Sequence, residues 1–411
     1  MEEEKKLEQS YQKPEQIKNT PSGHTGKGLC VALCIVFLAL GFLLSSLYYE
    51  HRYKDLSPLA EAMDVVRKNF YYYDEQTESD AITGALKGLS AYLEDNYAEY
   101  YTPEEYEELL TSNSGNYIGL GVNAVEKGVG QLYISEVFPD TPAEEAGLLA
   151  GDRFISANGH SADNLKLEAF LDFITHEEGD TNVIVVERDG QQLTFSMVMR
   201  EVYSPYVQYR MLEDDIGYIY IKGFHGKVVK ETQDALDALM EQGMEKLVLD
   251  VRDNLGGSLY DVTDIAGMFL PEGSIITTIR SRTSEDYSYK TKKEGIHVPI
   301  ALLVNGHSAS ASELLAGALK DYGAAELFGK TTFGKGIVQT FFGLQRGRNG
   351  TMKFTTDAYY TPSGVCIQGE GITPDHEVDL PEDLTYYSIY TIPYEQDTQL
   401  QAAVNYLKES K

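Results

Sequence analysis

The stretch "EKLVLDVRDNLGGSLYDVTDIAGMFL", Glu245 to Leu270, sets a strand, a glycine loop and a helix in direct succession. The apolar run "KLVLDVR" reads as a buried strand, "DNLGGSL" as the turn out of it, and Tyr260 to Leu270 as the following helix. The alternation continues on both sides. Past Ser204-Pro205, strand "GYIYIKGF" leads into a helix from Lys227 to Gln242; downstream come "SIITTIR", "PIALLV", "NGHSASASELLAGALKDYG" from Asn305 to Gly323, and "AELFG". Strands alternating with helices predict a layered α/β core, with chemistry at the loops that follow the strands.

Between Tyr117 and about Arg200 the period shifts to short strands with turn signals. "QLYISEVF" is a strand, Thr141-Pro142-Ala143-Glu144 a capped helix closed by Gly147, Leu165 to Thr175 a second helix, and Asp189-Gly190 a hairpin turn. Ahead of this block, Ser57-Pro58 opens one helix, about Asp80 to Leu93 forms another, and Thr102-Pro103-Glu104-Glu105 opens a short acidic helix with a capping box.

Residues 1 to 27 are polar, without apolar periodicity, and read as a disordered tail. Gly28 to Tyr49 then carries no charged residue. At about 1.5 Å per residue as a helix, this run crosses a hydrocarbon core. It reads as a membrane anchor; the alternative is a cleavable signal peptide, although the run is long for one and no A-x-A site follows. Lys13, Lys18 and Lys27 precede the span and Arg52 and Lys54 follow it, which favours a cytoplasmic N-terminus. The formal net charge of -30 argues against nucleic-acid binding, since a phosphate backbone is held by clustered cations. Two of the three cysteines, Cys30 and Cys34, sit in the apolar run, so no disulfide between folded regions and no metal site is expected.

Several signatures are excluded. There is no G-x-S-x-G elbow and no H-E-x-x-H. "GKTTFGK", Gly329 to Lys335, fits G-x-x-x-x-G-K, but Gly336 replaces the Ser or Thr a phosphate loop needs and "IVQTFFGL" continues as a strand. Attention falls on Ser308, Ser310 and Ser312. Ser310 followed by Glu313 is a capping box and predicts a helix start. A helix start also offers unpaired N–H groups and a positive dipole end to a developing oxyanion. Ala311 N–H is one such donor, and the Gly256-Gly257 loop is a candidate for a second.

A nucleophilic serine needs a base. His307 is close in sequence, with no evident orienting carboxylate. Lys335, between Gly334 and Gly336 in "FGKGIVQTFF", serves if burial lowers its pKa enough to leave a neutral amine. Gln339 falls at an even spacing, which in a strand sets it on the same face as Lys335.

Two resemblances sharpen this reading. "YIGLGV" and "DTPAEEAGLLAGDRFISANG" resemble a PDZ domain, which implies that Gly119, Leu120, Gly121 and Val122 hold a peptide's terminal carboxylate beside a strand edge. "VNGHSASASELLAGALKDYG", "GKTTFGKGIVQT", "DNYAEYYTPEEYEEL", "LVLDVRDNLGG" and "YYTPSGVCIQGEGITPD" resemble the carboxyl-terminal processing peptidases, or tail-specific proteases, over roughly residues 55 to 380. That family resemblance implies a Ser-Lys dyad serine protease: Ser310 as nucleophile, Lys335 as general base, Gln339 assisting, and Ala311, Gly256 and Gly257 around the oxyanion. It also implies no cofactor, a bacterial cell membrane location with the catalytic part outside the cytoplasm, and protein substrates with apolar C-termini.

The expected organisation is then a cytoplasmic tail over 1–27, an anchor over 28–49, and a helical region over 55–112. A PDZ domain follows over 115–200, a protease core over 204–380 and a C-terminal helical segment over 381–411. Some relatives dimerise through terminal helices, and "EQDTQLQAAVNYLKES" is a candidate for one, so a homodimer is a candidate state. Asp321 lies too far along its helix to touch Ser310 and is read as structural; Val365-Cys366 departs from the polar or basic residues usual in the family, with Cys366 read as a small apolar residue. An inactive PDZ adaptor at the membrane and a small-molecule amidase or esterase are the alternative functions; the intact Ser310, Lys335 and Gln339 argue against the first, the peptide-binding module against the second.

Overall fold

The computed structural model describes residues 24–381, 384 and 389–410. Residues 1–23 of the expected tail lie outside them, and residues 24–27 already belong to the helix His24–Tyr53. Its apolar part opens the one candidate membrane span among the described residues, Val31–Asn69, which has a mean hydropathy of 2.5 over its most apolar window and exposed side chains, Phe42 at 78%. The chain divides into two compact units between Ala85 and Leu86, and every described strand belongs to the second, Leu86–Lys411.

The centre of this second unit is a six-stranded sheet, in the order Val207–Met211, Ile216–Ile221, Lys246–Asp250, Ile300–Val304, Glu326–Gly329, His376–Glu377. The first pair is antiparallel and every later pair parallel. Alternate residues face opposite layers. Ile219, Leu247, Leu249, Ile300, Leu302 and Val304 pack with the helices Val228–Glu241, Leu259–Ala266 and Ala311–Asp321. Tyr218, Val248, Ala301 and Leu303 face Leu400, Ala403, Val404 and Leu407 of the helix Thr398–Glu409. Burial on both faces is why these strands read as unbroken apolar runs. The apolar face of the C-terminal helix, a candidate dimer contact by sequence, is therefore covered by the chain's own sheet.

A second sheet has the order Glu99–Tyr101, Thr351–Tyr360, Ile275–Ser281 and Tyr287–Lys290, with Ile337–Gly343 also on Thr351–Tyr360. The small block is a separate six-stranded sheet, in the order Val122–Glu126, Leu132–Val137, Arg153–Ala157, Thr181–Arg188 and Gln191–Val198, with His160–Ser161 paired to Arg153–Ala157. Leu132, Ile134, Phe154, Phe170, Ile184 and Val186 fill its core. The helix expected from Leu165 to Thr175 is shorter, Leu167–Leu171, because Phe173 and Ile174 N–H turn back three residues, to Phe170 and Leu171 carbonyls. Strands Asn116–Gly119 and Arg200–Tyr203 pair where the block leaves and rejoins the core.

Candidate active site

Three parallel strands deliver the candidate residues. Lys246–Asp250 ends before the Gly256 loop, Ile300–Val304 before Ser310, and Glu326–Gly329 before Lys335. All therefore meet at the carboxyl edge of the sheet, where open α/β folds place their sites.

The three serines separate clearly. Ser308 is buried and its hydroxyl donates to Val251 O at 2.7 Å; Ser312 is buried and donates to Asn254 O at 2.8 Å. Both hold the neighbouring loop. Ser310 has φ 55 and ψ −111, outside the basins open to L residues, a strain of about 1–3 kcal/mol. The capping box expected from Ser310 and Glu313 is in place, with Ser310 N–H donating to Glu313 Oε2 at 2.8 Å. Ser310 also lines a cleft.

That cleft has a volume of about 590 Å³ and collects Ser310, Ala311, Gly257, Lys335 and Gln339 with the apolar side chains of Leu255, Leu259, Leu314, Ile337 and Val338. A larger groove, about 940 Å³, adjoins it at Tyr260 and Tyr289 but contains none of the candidate residues. His307 does not line the cleft. It is exposed, and its Nδ1 lies 3.0 Å from Asp253 Oδ1, the carboxylate that the sequence left unmarked.

Lys335 is half-buried, with its Nζ 4.2 Å from the centre of the Tyr97 ring. Burial lowers its pKa from the usual lysine value, Lys353 adds to this, and Asp95 and Glu313 oppose it. Glu313 ties the Lys335 loop to the Ser310 loop. Its fully buried carboxylate accepts from Ser310 N–H, Lys335 N–H (2.8 Å), Gly334 N–H (2.6 Å) and the Thr332 hydroxyl (2.6 Å). The Tyr359 hydroxyl shares its proton between the carbonyls of Ser310, at 2.9 Å, and Lys335. The sequence showed Glu313 as a helix cap alone; that both loops converge on it depends on sheet order.

Glu313→Gln keeps the volume but turns one acceptor oxygen into a donor facing donors. The expected result is roughly a 10²-fold fall in kcat/KM from loops displaced by about 1 Å, with a loss of roughly 1–3 kcal/mol in stability. Steady-state kinetics beside thermal unfolding checks both.

Gln339 lies in the cleft for a different reason from the one expected. The strand starts at Ile337, after Lys335, and a bulge between Val338 and Gln339 resets the alternation against Thr351–Tyr360. Even spacing therefore does not align the two side chains. Gln339 Nε2 donates to Thr355 Oγ1 at 3.3 Å.

The oxyanion candidates also divide. Gly256 N–H is engaged, donating to Asn254 Oδ1 at 2.9 Å. Among the described residues Ala311 N–H and Gly257 N–H have no such partner, and both residues flank the cleft. Gly256 is needed for close approach instead: with φ 105, a Cβ there would stand 2.8 Å from Ala309 O and 2.9 Å from Ser310 Cβ. Asp321 Oδ2 accepts from Ser363 N–H at 2.8 Å, well away from Ser310, and Cys366 is half-buried.

In the small domain, Gly119 ends a strand and Leu120-Gly121 turn into Val122. Leu120 and Gly121 carbonyls accept from Ala143 and Phe138 N–H, both at 2.9 Å, which fixes the loop. Gly121 has φ 87, and a Cβ there would fall 2.2 Å from Thr141 Cβ. The Tyr117 ring lies over Gly119, and its phenol, bonded by Gly121 N–H, is pushed up to about 12 by burial and then by Glu136.

Residues 215–378 match the family model of peptidase family S41, and residues 116–198 that of the PDZ domain. The CtpA-like serine protease of Staphylococcus saprophyticus is 31% identical over 332 residues, covering 80% of this chain and 66% of the relative. That of Staphylococcus aureus strain RF122 is 31% identical over 332 residues, covering 79% and 65%. The chain thus spans slightly less than two thirds of these relatives' length. The crystal structure of an S41 protease from Bacteroides fragilis NCTC 9343 shares the fold, with a TM-score of 0.54, 18% identity, and 72% and 83% of the two chains covered. Residues 215–378 are thus a peptidase family S41 core, with a PDZ domain ahead of it over residues 116–198.

Proposed function

We propose that the chain is a membrane-anchored serine endopeptidase of the carboxyl-terminal processing type. The observation that carries this reading is the gathering of Ser310, Lys335, Ala311 and Gly257 around one apolar cleft. Lys335, as a neutral amine, takes the proton of Ser310 as Oγ attacks the substrate carbonyl. Ala311 and Gly257 N–H groups hold the resulting oxyanion, Gln339 orients the amine, and water then releases the acyl-enzyme. The Gly119–Val122 loop of the PDZ domain takes the C-terminal carboxylate of protein substrates with apolar tails. The helix His24–Tyr53 is retained as an anchor, with the catalytic part on the extracytoplasmic side of a bacterial cell membrane.

The test uses the full-length chain and an unfolded reporter protein ending in apolar residues, with products read by mass spectrometry. Ser310→Ala is expected to give no cleavage; undiminished cleavage would overturn the assignment. Charged residues placed at the reporter's end are expected to slow cleavage, and an unchanged rate would remove the terminal-selection part alone.

A further inference from the structure

The segment "DNYAEYY", Asp95 to Tyr101, has no part in the proposed mechanism, yet the structure sets it directly beneath the proposed base. Asp95 Oδ2 accepts from Thr355 N–H at 2.7 Å and Oδ1 from Tyr97 N–H at 3.0 Å. Thr355 Oγ1 in turn accepts from Gln339. Glu99 Oε2 and the Tyr101 phenol receive Lys353 Nζ, at 3.0 and 2.5 Å. Between these anchors the Tyr97 ring lies against the Lys335 ammonium position, 4.2 Å from Nζ to the ring centre. This is well inside the range at which an aromatic face attracts a cation.

We propose that Tyr97 is a positioning residue for the base: its ring face holds the Lys335 amine at the cleft and stabilises the ammonium formed during attack. The inference rests on the reading of Lys335 as general base. In the step concerned, the Ser310 Oγ–H bond breaks and an Nζ–H bond forms while Oγ bonds to the carbonyl carbon. The amine begins neutral and ends as a cation. A quadrupole beneath it acts more strongly on the second state than the first, so the contact lowers the barrier rather than only binding the resting side chain.

The charged and titratable groups facing Lys335 are Lys353 and Tyr359 from the strand Thr351–Tyr360, Asp95, Glu313 from the helix Ala311–Asp321, and Tyr97 itself. Burial and Lys353 favour the neutral amine; Asp95, Glu313 and the ring face favour the cation. Weakening the ring face therefore lowers the Lys335 pKa and shifts the acid limb of kcat/KM to lower pH, while the less stabilised ammonium lowers kcat.

The experiment replaces Tyr97 in the full-length chain by phenylalanine, 4-fluorophenylalanine and 3,4,5-trifluorophenylalanine, which keep the ring's shape while draining its face. Tyr97→Phe is expected to stay near wild type. Across the fluorinated series the acid limb is expected to fall by roughly half a pH unit or more, with kcat down several-fold and KM unchanged. An acid limb and kcat constant across the series would overturn the proposal. So would a Tyr97→Phe variant as impaired as the trifluoro one, which would assign the role to the hydroxyl. Lys335→Ala in the same assay separates the two levels. If it cleaves normally, the general-base reading fails and takes this inference with it; if it is dead while the series is flat, only the role of Tyr97 fails.

Discussion

Lys335→Ala and Lys335→Arg are expected to be comparably inactive, each losing roughly 10²- to 10⁴-fold in kcat. The arginine variant is the informative one. Guanidinium keeps the positive charge, but with a pKa above about 12 it offers no lone pair at working pH. If Lys335 served as an electrostatic anchor for the oxyanion, arginine would preserve much of the rate. If it is the base, charge without basicity is useless.

The pH dependence follows from the same chemistry. Burial, then Lys353, holds the Lys335 pKa below the ordinary lysine value, about 10.4. With Lys335 as the base, the neutral amine is the active form, so kcat/KM is expected to rise with pH about a midpoint that lies below that value. Burial also works against the Lys353 ammonium, but its bonds to Tyr101 and Glu99 outweigh burial and keep it charged. Lys353→Met removes the like charge, so the midpoint is expected to move to higher pH. Single-turnover rates across pH, on wild type and the three variants, check both the loss and the direction of the shift.

The layered core was legible because its signals are local. Strand runs such as "KLVLDVR" and "PIALLV" are buried on both faces, and caps such as Thr102 with Glu105 need only neighbouring residues; both halves of that box are present. The geometry of the candidate site was less so. Even spacing of Lys335 and Gln339 suggested a shared strand face, but the bulge at Val338 and Gln339 is set by the partner strand Thr351–Tyr360. Glu313 looked like a cap because its second set of donors, from Thr332 to Lys335, arrives only once the strands Ile300–Val304 and Glu326–Gly329 lie side by side. The engagement of Gly256 N–H by Asn254 hides in a side-chain rotamer, which no residue pattern encodes. Local propensity reaches across a few residues; these sites are made from contacts between loops.

Arg252→Met is expected to cost about 3–5 kcal/mol of stability, a larger structural loss than that of Glu313→Gln. Arg252 is 0% exposed. Its guanidinium donates to Asp250 (2.7 Å), to Asp397 (2.8 Å) and to Gln399 Oε1 (2.9 Å), joining the strand before the Gly256 loop to the start of the C-terminal helix. Burial disfavours the charged form, but the two carboxylates, Asp250 first, reverse this and hold the pKa well above the usual arginine value. Methionine fills most of the volume and leaves both carboxylates buried without a counter-ion, so the loss comes from desolvated charge rather than from a cavity. That distinction is testable. Asp250→Asn combined with Arg252→Met removes one stranded charge and is expected to recover part of the loss, whereas two independent packing defects would add. Denaturant unfolding of the full-length chain measures both. A single-variant loss below about 1 kcal/mol would mean that water reaches the carboxylates once the arginine is gone. Asp397 also accepts from Leu400 N–H at 2.9 Å, so the damage is expected to spread along the helix Thr398–Glu409 and appear as faster hydrogen exchange there before global unfolding.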